Sequence, residues 1–494
     1  MTIKPTFSRS SLFRRFNLMP KLRTRLSVPL LAMLLGVFAG WQTSDAQEVA
    51  NTQVNAQKRP PNFVVIFCDD LGYGDLGCFG NPTIRTKQLD RMAAEGMKLT
   101  QFYVGASVCT PSRAALMTGR LPCRSGMCGN KRRVLFPDSK GGLPAEEITL
   151  AEALQEGGYA TACIGKWHLG HHKQFLPTNN GFDYYFGIPY SNDMDRVPEA
   201  PKGRASMWNP KSEYFNVPLM RNEEIVERPA EQTTITRRYT EEAVKFIDEH
   251  QEEPFFIYLA HSMPHVPLFR SPEFEGVSRR GYFGDVIEEI DWSVGQVLQK
   301  LRDTGLDDNT LVVFCSDNGP WLPYGDHGGS AGPLRGGKGS TWDGGMREPT
   351  IFWWPKTIPA ASVAADIGST MDLMATFHSL ADLEMPNDRT FDSHDLTPVL
   401  KQTGKSTREA FFYYRGYDLT AVRYGPWKLH FKTQAGYGQP KPEIHDPPVL
   451  FNIEHDPGES RNVAKENPEV IETILAEVKR HQSEMVFAES QLEL

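Results

Sequence analysis

Continuous apolar runs alternate with amphipathic stretches through the first three quarters of the chain. The runs are rich in β-branched and aromatic residues, which is typical of strands buried on both faces of a parallel sheet. They predict strands at residues 62–68, 161–164, 254–260 and 310–315. The stretches between them have apolar residues at helical spacing and predict helices at residues 86–96, 149–157, 237–252 and 284–305. We therefore predict an α/β domain with a large, mostly parallel sheet sandwiched by helices.

The pattern changes near Pro386. Short alternating segments follow it and predict strands at residues 410–414, 419–423, 427–431 and 449–453, before a last helix at 468–485. These elements indicate a small C-terminal domain at 386–494, an antiparallel sheet with a helix packed on it, after a main α/β domain at 62–385. Residues 194–235 are rich in proline and polar residues, and we expect them to form an insertion over the functional site.

The first 46 residues have the composition of an export signal. Seven basic residues precede an apolar run at 26–41, and Ser44-Asp45-Ala46 is a small-x-small cleavage site. We predict a bacterial-type signal peptide at 1–46, a polar linker at 47–61, and a secreted or periplasmic mature protein. The apolar run is short for a membrane span, so no stable membrane insertion is expected after cleavage; an uncleaved anchor is the alternative.

Charge and cysteine content narrow the function classes. The 494-residue chain has a formal charge of −8, and removing the leader's seven basic residues and Asp45 takes it to −14. An acidic exported protein of this size argues against nucleic acid as a partner. Seven cysteines leave at least one unpaired, and Cys109 is the candidate. Cys123 and Cys128 are close enough for a local disulfide, with two reduced thiols as the alternative.

Oxygen ligands follow two of the predicted strands directly. Asp69 and Asp70 come after the first strand, and Asp317 and Asn318 come after the last. Open α/β sheets bind ligands at the carboxyl ends of their strands, and adjacent carboxylates repel each other unless a cation neutralises them. Four such ligands suit Ca²⁺, and Mg²⁺ less well, rather than zinc. A simple polar turn is the alternative for Asp69-Asp70.

Cys109 begins a predicted helix, with Pro111 in its first turn and Arg113 one turn further on the same side. The N-terminus of a helix presents free N–H groups, which lower a thiol pKa and attract oxyanions. This placement predicts a reactive side chain beside an anion site. The alternative for Cys109 is a small buried hydrophobic residue.

Cationic residues follow other elements of the predicted sheet. Lys166 and His168 come two residues apart after the strand at 161–164, so on an extended segment they point to the same side. Lys338 lies in a glycine-rich segment at 334–349, where the backbone can approach an anion closely. The segment lacks the spacing of a nucleotide-binding P-loop. These residues suit an oxyanion substrate.

Several of these segments, taken together, resemble one enzyme family. Cys109-Thr110-Pro111-Ser112-Arg113 with Thr118-Gly119-Arg120 resembles the signature of the type I sulfatases, and so do Asp69-Asp70 and Gly165-Lys166-Trp167-His168-Leu169-Gly170. The resemblance extends over about residues 62–465 and implies the alkaline-phosphatase-like sulfatase fold. It also implies that a formylglycine-generating enzyme converts Cys109 to Cα-formylglycine, whose hydrated aldehyde is the nucleophile.

The resemblance also assigns roles to individual residues. It implies a metal site formed by Asp69, Asp70, Asp317 and Asn318, and a catalytic set of Cys109, Arg113, Lys166, His168, His265 and Lys338. In that set Lys338 binds sulfate, His168 holds the nucleophile's second hydroxyl and His265 protonates the leaving group. Segments 188–193 and 445–448 resemble the arylsulfatase A branch. They imply that Ser191 contacts the sulfate and that His445 lies at the pocket rim. His261, which begins the segment that contains His265, is a further substrate-binding candidate.

We therefore expect a secreted sulfatase that hydrolyses an aryl or, preferentially, a carbohydrate sulfate ester. Three alternatives remain open at this point. A phosphate or phosphonate ester hydrolase would use the same residues, because phosphate and sulfate oxygens accept the same donors. An enzyme with an unmodified Cys109 thiolate would not need the metal ligands or the two lysines. A non-catalytic protein that binds sulfated glycans would not need a cysteine at position 109.

Overall fold

A ten-stranded mixed sheet, mostly parallel at its centre, organises the fold. The computed structural model describes residues 59–437, 439 and 441–494, so the predicted signal peptide and all but the end of the linker lie outside the described residues. The strands in chain order are β1 Asn62–Cys68, β2 Met97–Leu99, β3 Phe102–Tyr103, β4 Ala160–Gly165, β5 Tyr184–Gly187, β6 Leu219–Arg221, β7 Glu224–Glu227, β8 Phe255–Ala260, β9 Thr310–Ser316, β10 Thr350–Trp353, β11 Ser362–Ala364, β12 Gly368–Ser369, β13 Ala410–Arg415, β14 Asp418–Tyr424, β15 Trp427–Thr433 and β16 Glu443–Asn452.

The sheet order places the four strongest predicted strands side by side. The order is β11-β2-β10-β9-β1-β8-β4-β5-β6-β7, and β9, β1, β8, β4 and β5 are all mutually parallel neighbours. Their carboxyl ends therefore lie along one edge of the sheet. Antiparallel strands flank this block, because β10 pairs with β9 and β2, and the β6–β7 hairpin extends the other side from β5.

Helices cover both faces of the sheet, as the continuous apolar runs predict. The α-helices are α1 Lys87–Glu95, α2 Cys109–Thr118, α3 Pro122–Ser125, α4 Leu150–Glu156, α5 Ala205–Trp208, α6 Ile235–Glu249, α7 Tyr282–Asp303, α8 Asp372–Ala381, α9 Thr397–Leu400 and α10 Pro468–Glu484. Alternate residues of β1 belong to different cores, with Phe63, Val65 and Phe67 in one and Val64, Ile66 and Cys68 in the other. The first core includes α2, α4 and α8, and the second includes α1, α6 and α7.

The C-terminal sheet is antiparallel, with strand order β13-β14-β15-β16, and α10 packs against it. The predicted fold class, a large mostly parallel sheet between helices with a small C-terminal sheet and helix, is thus confirmed. β16 is longer than the predicted segment at 449–453 because it includes Pro447 and Pro448. Proline cannot donate to a strand ladder, and β16 accommodates the pair because it lies at the sheet edge.

The expected insertion at 194–235 contributes α5 and the β6–β7 hairpin. Trp208 of α5 stacks on Tyr324 and His327, which lie in the segment after β9, with ring centroids 5.4 and 5.2 Å apart. Part of the insertion therefore covers the loop that follows the predicted metal ligands.

Two further features bear on the sequence predictions. All seven cysteines have free thiols, including Cys123 and Cys128, so the structure has the reduced alternative at that pair. No helix in the described part of the chain combines the length and apolar character needed to cross a bilayer.

Candidate active site

The four predicted metal ligands meet where β1 and β9 end side by side. The backbone N–H of Asp70 donates to Asp317 Oδ1 at 3.2 Å, and Asn318 Nδ2 donates to Asp70 Oδ1 at 2.7 Å. Each of the four residues is at most 3% exposed. Because β1 and β9 are parallel and in register from Asn62 to Cys68, their carboxyl ends deliver these side chains to the same place.

The donor set fits a hard divalent cation. Asp70 Oδ2 and Asn318 Oδ1 are buried and have no hydrogen-bond partner among the described residues. Asp69 and Asp70 also offer ligand atoms within 4.8 Å of atoms on Cys109 and His265. Burial raises the pKa of Asp70 to about 7, and the charges of Asp69 and Asp317 add to the rise although Lys338 opposes it. The two oxygens without a partner are therefore available as ligands, and oxygen-rich sites of this kind suit calcium or magnesium.

Cys109 is the first residue of α2 and is 2% exposed. Its Sγ lies 3.5 Å from Asp69 Oδ1 and 3.4 Å from Lys338 Nζ. The expectation of a lowered thiol pKa is wrong in this structure. Burial raises the pKa of the Cys109 thiol, and the charges of Lys166 and Lys338 do not offset the effect. The unmodified side chain is consequently a thiol that faces a carboxylate, not a thiolate.

Arg113 is fully buried one turn along α2. Its Nε and Nη2 donate to Asp317 Oδ2 at 3.0 and 2.8 Å, and its Nη1 donates to the carbonyl of Lys166 at 3.0 Å. Arg113 thus joins the helix of Cys109 to the ends of two strands. It holds Asp317 in place and supplies fixed positive charge at the base of the site.

Lys166 follows β4 and reaches across to the end of β1. Its Nζ lies 2.5 Å from Asp69 Oδ2 and 3.2 Å from Ser191 Oγ. Ser191 therefore joins the same cluster, where the motif at 188–193 placed it. The ion pair is completely buried. The Lys166 charge helps to keep the pKa of Asp69 well below its usual range despite burial.

His168 has one ring nitrogen in use and one free. Its Nε2 lies 2.9 Å from the carbonyl of Leu135, so Nε2 carries the proton, whereas Nδ1 is buried without a partner among the described residues. Its φ of 62° shows that the chain is not extended here, so the argument from extended geometry for pairing Lys166 with His168 is wrong. Burial lowers the pKa of His168 well below its ordinary value, and the charge of Lys166 adds to this effect.

His265 lies beside Asp70 of the carboxylate cluster. Its Nδ1 contacts two acceptors, the Val266 carbonyl at 2.6 Å and Asn192 Oδ1 at 3.1 Å, and so carries the proton. Its Nε2 points to Asp70 Oδ2 at 3.6 Å. Asn192, next to Ser191 in the recognised motif, was not singled out from the sequence, although it fixes the orientation of this ring.

Two predicted substrate-binding residues lie outside this cluster. His261 is completely buried, with Nε2 3.2 Å from Ser293 Oγ of α7, and burial lowers its pKa to about 4. It packs in the core beside Tyr239 rather than at the cluster. His445, on β16, is half-buried, and its Nε2 lies 2.9 Å from Thr433 Oγ1. No hydrogen bond or ion pair joins either histidine to the cluster among the described residues.

Aromatic residues that the sequence did not identify line the approach to the cluster. Lys338 Nζ lies 4.5 Å from the ring centroid of Trp321, and the Trp321 ring is 5.3 Å from that of His265. Tyr437 packs against the other side of Trp321 at 5.1 Å. The sequence offered one indication, because Trp321 comes three residues after Asn318 at the ligand-binding edge of the sheet.

Comparison with known proteins identifies the family. Residues 61–383 match the sequence profile of the Sulfatase family, and residues 406–494 match the profile described as the C-terminal region of aryl-sulfatase. The chain belongs to the sulfatase family. It is 41% identical to human arylsulfatase A over 451 residues, which cover 85% of this chain and 87% of that protein.

Two further relatives extend the comparison to a carbohydrate sulfatase and a bacterial structure. This sulfatase is 39% identical to N-acetylgalactosamine-6-sulfatase from Sus scrofa over 491 residues, covering 92% of this chain and 91% of the relative. The crystal structure of PsFucS1 sulfatase from Pseudoalteromonas sp. superposes with a TM-score of 0.76 at 30% identity, covering 87% of this chain and 93% of that one. The predicted family, fold and enzyme class, a sulfuric ester hydrolase, are thereby confirmed.

Proposed function

We propose that this sulfatase is an exported enzyme that hydrolyses sulfate esters of carbohydrates, with a formylglycine nucleophile made from Cys109 and a bound Ca²⁺. The observation that carries the proposal is the position of Cys109. Its side chain lies at a helix N-terminus between Lys338 Nζ and Asp69 Oδ1, beside two buried oxygens that have no partner.

The state of the thiol supports a modified nucleophile. A thiolate enzyme needs a lowered cysteine pKa, whereas burial raises the pKa of Cys109 here. Formylglycine at this position supplies, as its hydrate, a hydroxyl nucleophile that does not depend on thiolate formation. A thiolate mechanism would not use the carboxylate cluster or the two lysines around Cys109. With a formylglycine nucleophile, these groups bind the cation and the sulfate oxygens.

Asp69, Asp70, Asp317 and Asn318 would hold the cation. Its chemistry there is to neutralise the carboxylates and to place positive charge beside the sulfate oxygens. Three carboxylates and an amide oxygen favour calcium, with magnesium as the second choice. Asp70 Oδ2 and Asn318 Oδ1 are available as ligands, since the protein leaves both without a hydrogen-bond partner.

The remaining side chains have separate tasks. Lys338 and Lys166 present ammonium groups to the sulfate oxygens, where negative charge develops as the ester bond breaks. His168 Nδ1, which has no partner, accepts a proton from the nucleophile. His265 is held by Asn192 and the Val266 carbonyl at Nδ1, so its Nε2 is the atom that faces the leaving oxygen. Nε2 first takes up a proton from solvent, which makes the ring an imidazolium, and then passes that proton to the leaving oxygen. Arg113 is a positioning residue that acts through Asp317.

The carbohydrate substrate and the location outside the cell are inferred from two observations. The relative from Sus scrofa is named for a sulfated amino sugar, and its similarity covers most of both chains. The basic, then apolar, N-terminal sequence has the pattern of an export signal. Export would bring the enzyme to extracellular sulfated glycans after a formylglycine-generating enzyme has acted on Cys109.

The deciding experiment combines mass spectrometry with an ester assay on protein from its native host. Conversion of Cys109 to formylglycine lowers the mass of its tryptic peptide by about 18 Da. We expect this loss, together with hydrolysis of 4-nitrophenyl sulfate and much slower hydrolysis of 4-nitrophenyl phosphate. EDTA should abolish activity, and Ca²⁺ should restore it more effectively than Mg²⁺. Active protein with intact Cys109 would contradict the nucleophile, and faster phosphate hydrolysis would contradict the substrate class.

A further inference from the structure

Arg133 and Arg415 are adjacent arginines without a carboxylate partner. Neither guanidinium has an aspartate or glutamate oxygen within 4.0 Å among the described residues. The neighbouring Arg132, by contrast, pairs with Asp138 at 2.7 Å. Both unpaired arginines are half-buried, and both line one cavity beside the N-terminus of α2, together with Val108 and Pro111.

The two arginines flank the residue that follows Lys338. Arg415 donates from Nη1 to the carbonyl of Gly339. Arg133 Nη1 lies 2.8 Å from the position that a Cβ on Gly339 would occupy, so any larger residue there would displace the guanidinium. Lys338 Nζ, on the preceding residue, is 3.4 Å from Cys109 Sγ. The arginine pair is therefore next to the reaction centre but does not belong to it.

An aromatic wall connects the pair to the mouth of the site. The Arg133 guanidinium lies 5.5 Å from the ring centroid of Tyr437, and Tyr437 packs on Trp321, which contacts both His265 and Lys338. Trp321 and Tyr437 thus form a continuous series of contacts from Lys338 and His265 to Arg133.

The electrostatics of the pair point to an anionic occupant. Burial lowers the pKa of Arg133, and the neighbouring Tyr437 is the largest influence that opposes this effect. The pKa of Arg415 is lowered to about 10 by burial and by the like charge of Arg133. Two cations held together without a counter-charge cost free energy, which a bound oxyanion would recover. Guanidinium groups match carboxylate and sulfate oxygens in a bidentate manner.

We propose that Arg133, supported by Arg415, binds a second anionic group of the substrate, so that the enzyme prefers glycans carrying a carboxylate or another sulfate near the scissile ester. This inference rests on the proposed function and specifies its substrate class. The shared chemistry is an oxyanion with at least two acceptor oxygens. Whether it is a uronate carboxylate or a second sulfate is decided by matched substrates.

The test compares Arg133→Gln with wild type on two pairs of oligosaccharides. The first pair is a disaccharide with one sulfate and one uronate, and the same molecule with its carboxyl reduced to an alcohol. The second pair is a disulfated and a monosulfated neutral disaccharide. We expect Arg133→Gln to raise KM for at least one dianionic substrate about tenfold or more, with kcat within about twofold. KM for the singly charged molecules should not change.

Arg132→Gln is the matched control, because its side chain is paired with Asp138 and it should behave as wild type. Arg415→Lys is the second variant, since it keeps a cation near the Gly339 carbonyl and should show a smaller change than Arg133→Gln. Equal loss on charged and reduced substrates, or no change on either, would overturn the proposal. If KM rises for the uronate-containing disaccharide, the carboxylate is the ligand. If KM rises for the disulfated disaccharide, the second sulfate is the ligand.

A binding measurement separates this proposal from the proposed function. The affinity of Cys109→Ala protein for each substrate is measured by calorimetry, with and without Arg133→Gln, and requires no turnover. If wild type hydrolyses none of the sulfate esters, the proposed function fails. The subsite still stands if Arg133→Gln weakens binding of the dianion alone, and it is overturned if binding of the dianion is unchanged.

Discussion

Lys338 contacts both a predicted metal ligand and the proposed nucleophile position. Its Nζ lies 2.7 Å from Asp70 Oδ1 and 3.4 Å from Cys109 Sγ. We predict that Lys338→Met lowers kcat by about 10²- to 10³-fold, because it removes a fixed positive charge from developing negative charge. Kinetics with 4-nitrophenyl sulfate measure the effect. The control is Lys356→Met, whose exposed ammonium pairs with Asp308 at the surface and should leave kcat unchanged. A rise in KM with kcat unchanged would contradict the assignment, since it would show that Lys338 only binds the substrate.

His261 makes a different residue-scale prediction, because it is buried away from the reacting groups. Its folded pKa of about 4 lies below its ordinary value of 6.5, so the unfolded chain takes up its proton first as the pH falls. The native state therefore loses stability from about pH 6.5 down to about pH 4, by roughly 2 kcal/mol at pH 4.5.

His261→Gln removes this titration. Urea unfolding at pH 7 and pH 4.5 should show that the variant loses about 2 kcal/mol less than wild type between the two pH values. Absolute stability at pH 7 is expected to fall, so the difference between pH values is the informative quantity. An identical pH dependence in both proteins would refute the buried neutral state of His261.

The residues that the sequence predicted best are those that directly follow buried strands. Asp69, Asp317 and Lys166 each follow a continuous apolar run, and parallel strands bring such positions together without further information. The Arg133–Arg415 pair could not be predicted in this way, since it depends on a loop and a C-terminal strand far apart in sequence. The orientation of the His168 side chain could not be predicted from the sequence pattern either. The pattern predicts an extended segment, whereas His168 itself has a positive φ of 62°.

At the scale of elements, the helices and buried strands that the sequence predicted lie within a few residues of the observed ones, whereas helix α8 and several short pairing strands were missed. The helix predicted at 149–157 corresponds to α4, where Thr149 and Glu152 form a reciprocal capping box. Strand β10 has only four residues and lies between loops, so its sequence is too short to show the apolar pattern that predicts a strand. It becomes a strand because β2 and β9 pair with it on both sides.

The glycine-rich segment that carries Lys338 is attached to the C-terminal sheet by a buried ionic cluster. Lys428 Nζ of β15 lies 2.8 Å from Asp343 Oδ1 and 3.1 Å from Glu459 Oε2, and donates to the Thr341 carbonyl at 3.2 Å. Its charge contributes most to the lowering of the Asp343 pKa against burial. Removal of this cation would take away the partner that the two buried carboxylates share, and would leave Asp343 with Arg347 at 3.6 Å and Glu459 with His430 at 2.6 Å.

We predict that Lys428→Met destabilises the protein by about 3–5 kcal/mol, the usual cost of breaking a buried ion pair from one side. The matched control is Lys432→Met on the same strand, whose partner Asp418 is largely exposed. That variant should lose about 1 kcal/mol or less. Chemical denaturation of the two variants in parallel measures the difference, and similar losses would show that the buried cluster contributes no more than a surface pair.

At the scale of the whole molecule, the C-terminal sheet shares its core with the large sheet. Phe411, Tyr413 and Leu492 belong to the same apolar cluster as β1 and α2. The rings of Tyr103 and Phe411 stack at 4.8 Å, and the hydroxyl groups of Tyr103 and Tyr413 both donate to Asp343. Residues 59–494 form one compact unit in the structure, and the domain boundary near residue 386 stays a prediction.

We therefore predict that a chain ending at residue 385 does not form a stable enzyme. Truncation would expose the aromatic core around Tyr103 to water, which costs hydrophobic free energy. It would also remove Lys428, the cation nearest to the buried Asp343 carboxylate, which costs electrostatic free energy. The truncated chain should bind a hydrophobic dye, lack a cooperative thermal transition and show no sulfatase activity. A chain of residues 59–494 is the control and should melt in one transition that coincides with loss of activity. A soluble truncated chain with a sharp transition would instead establish that the large sheet folds independently and that the shared core only stabilises it.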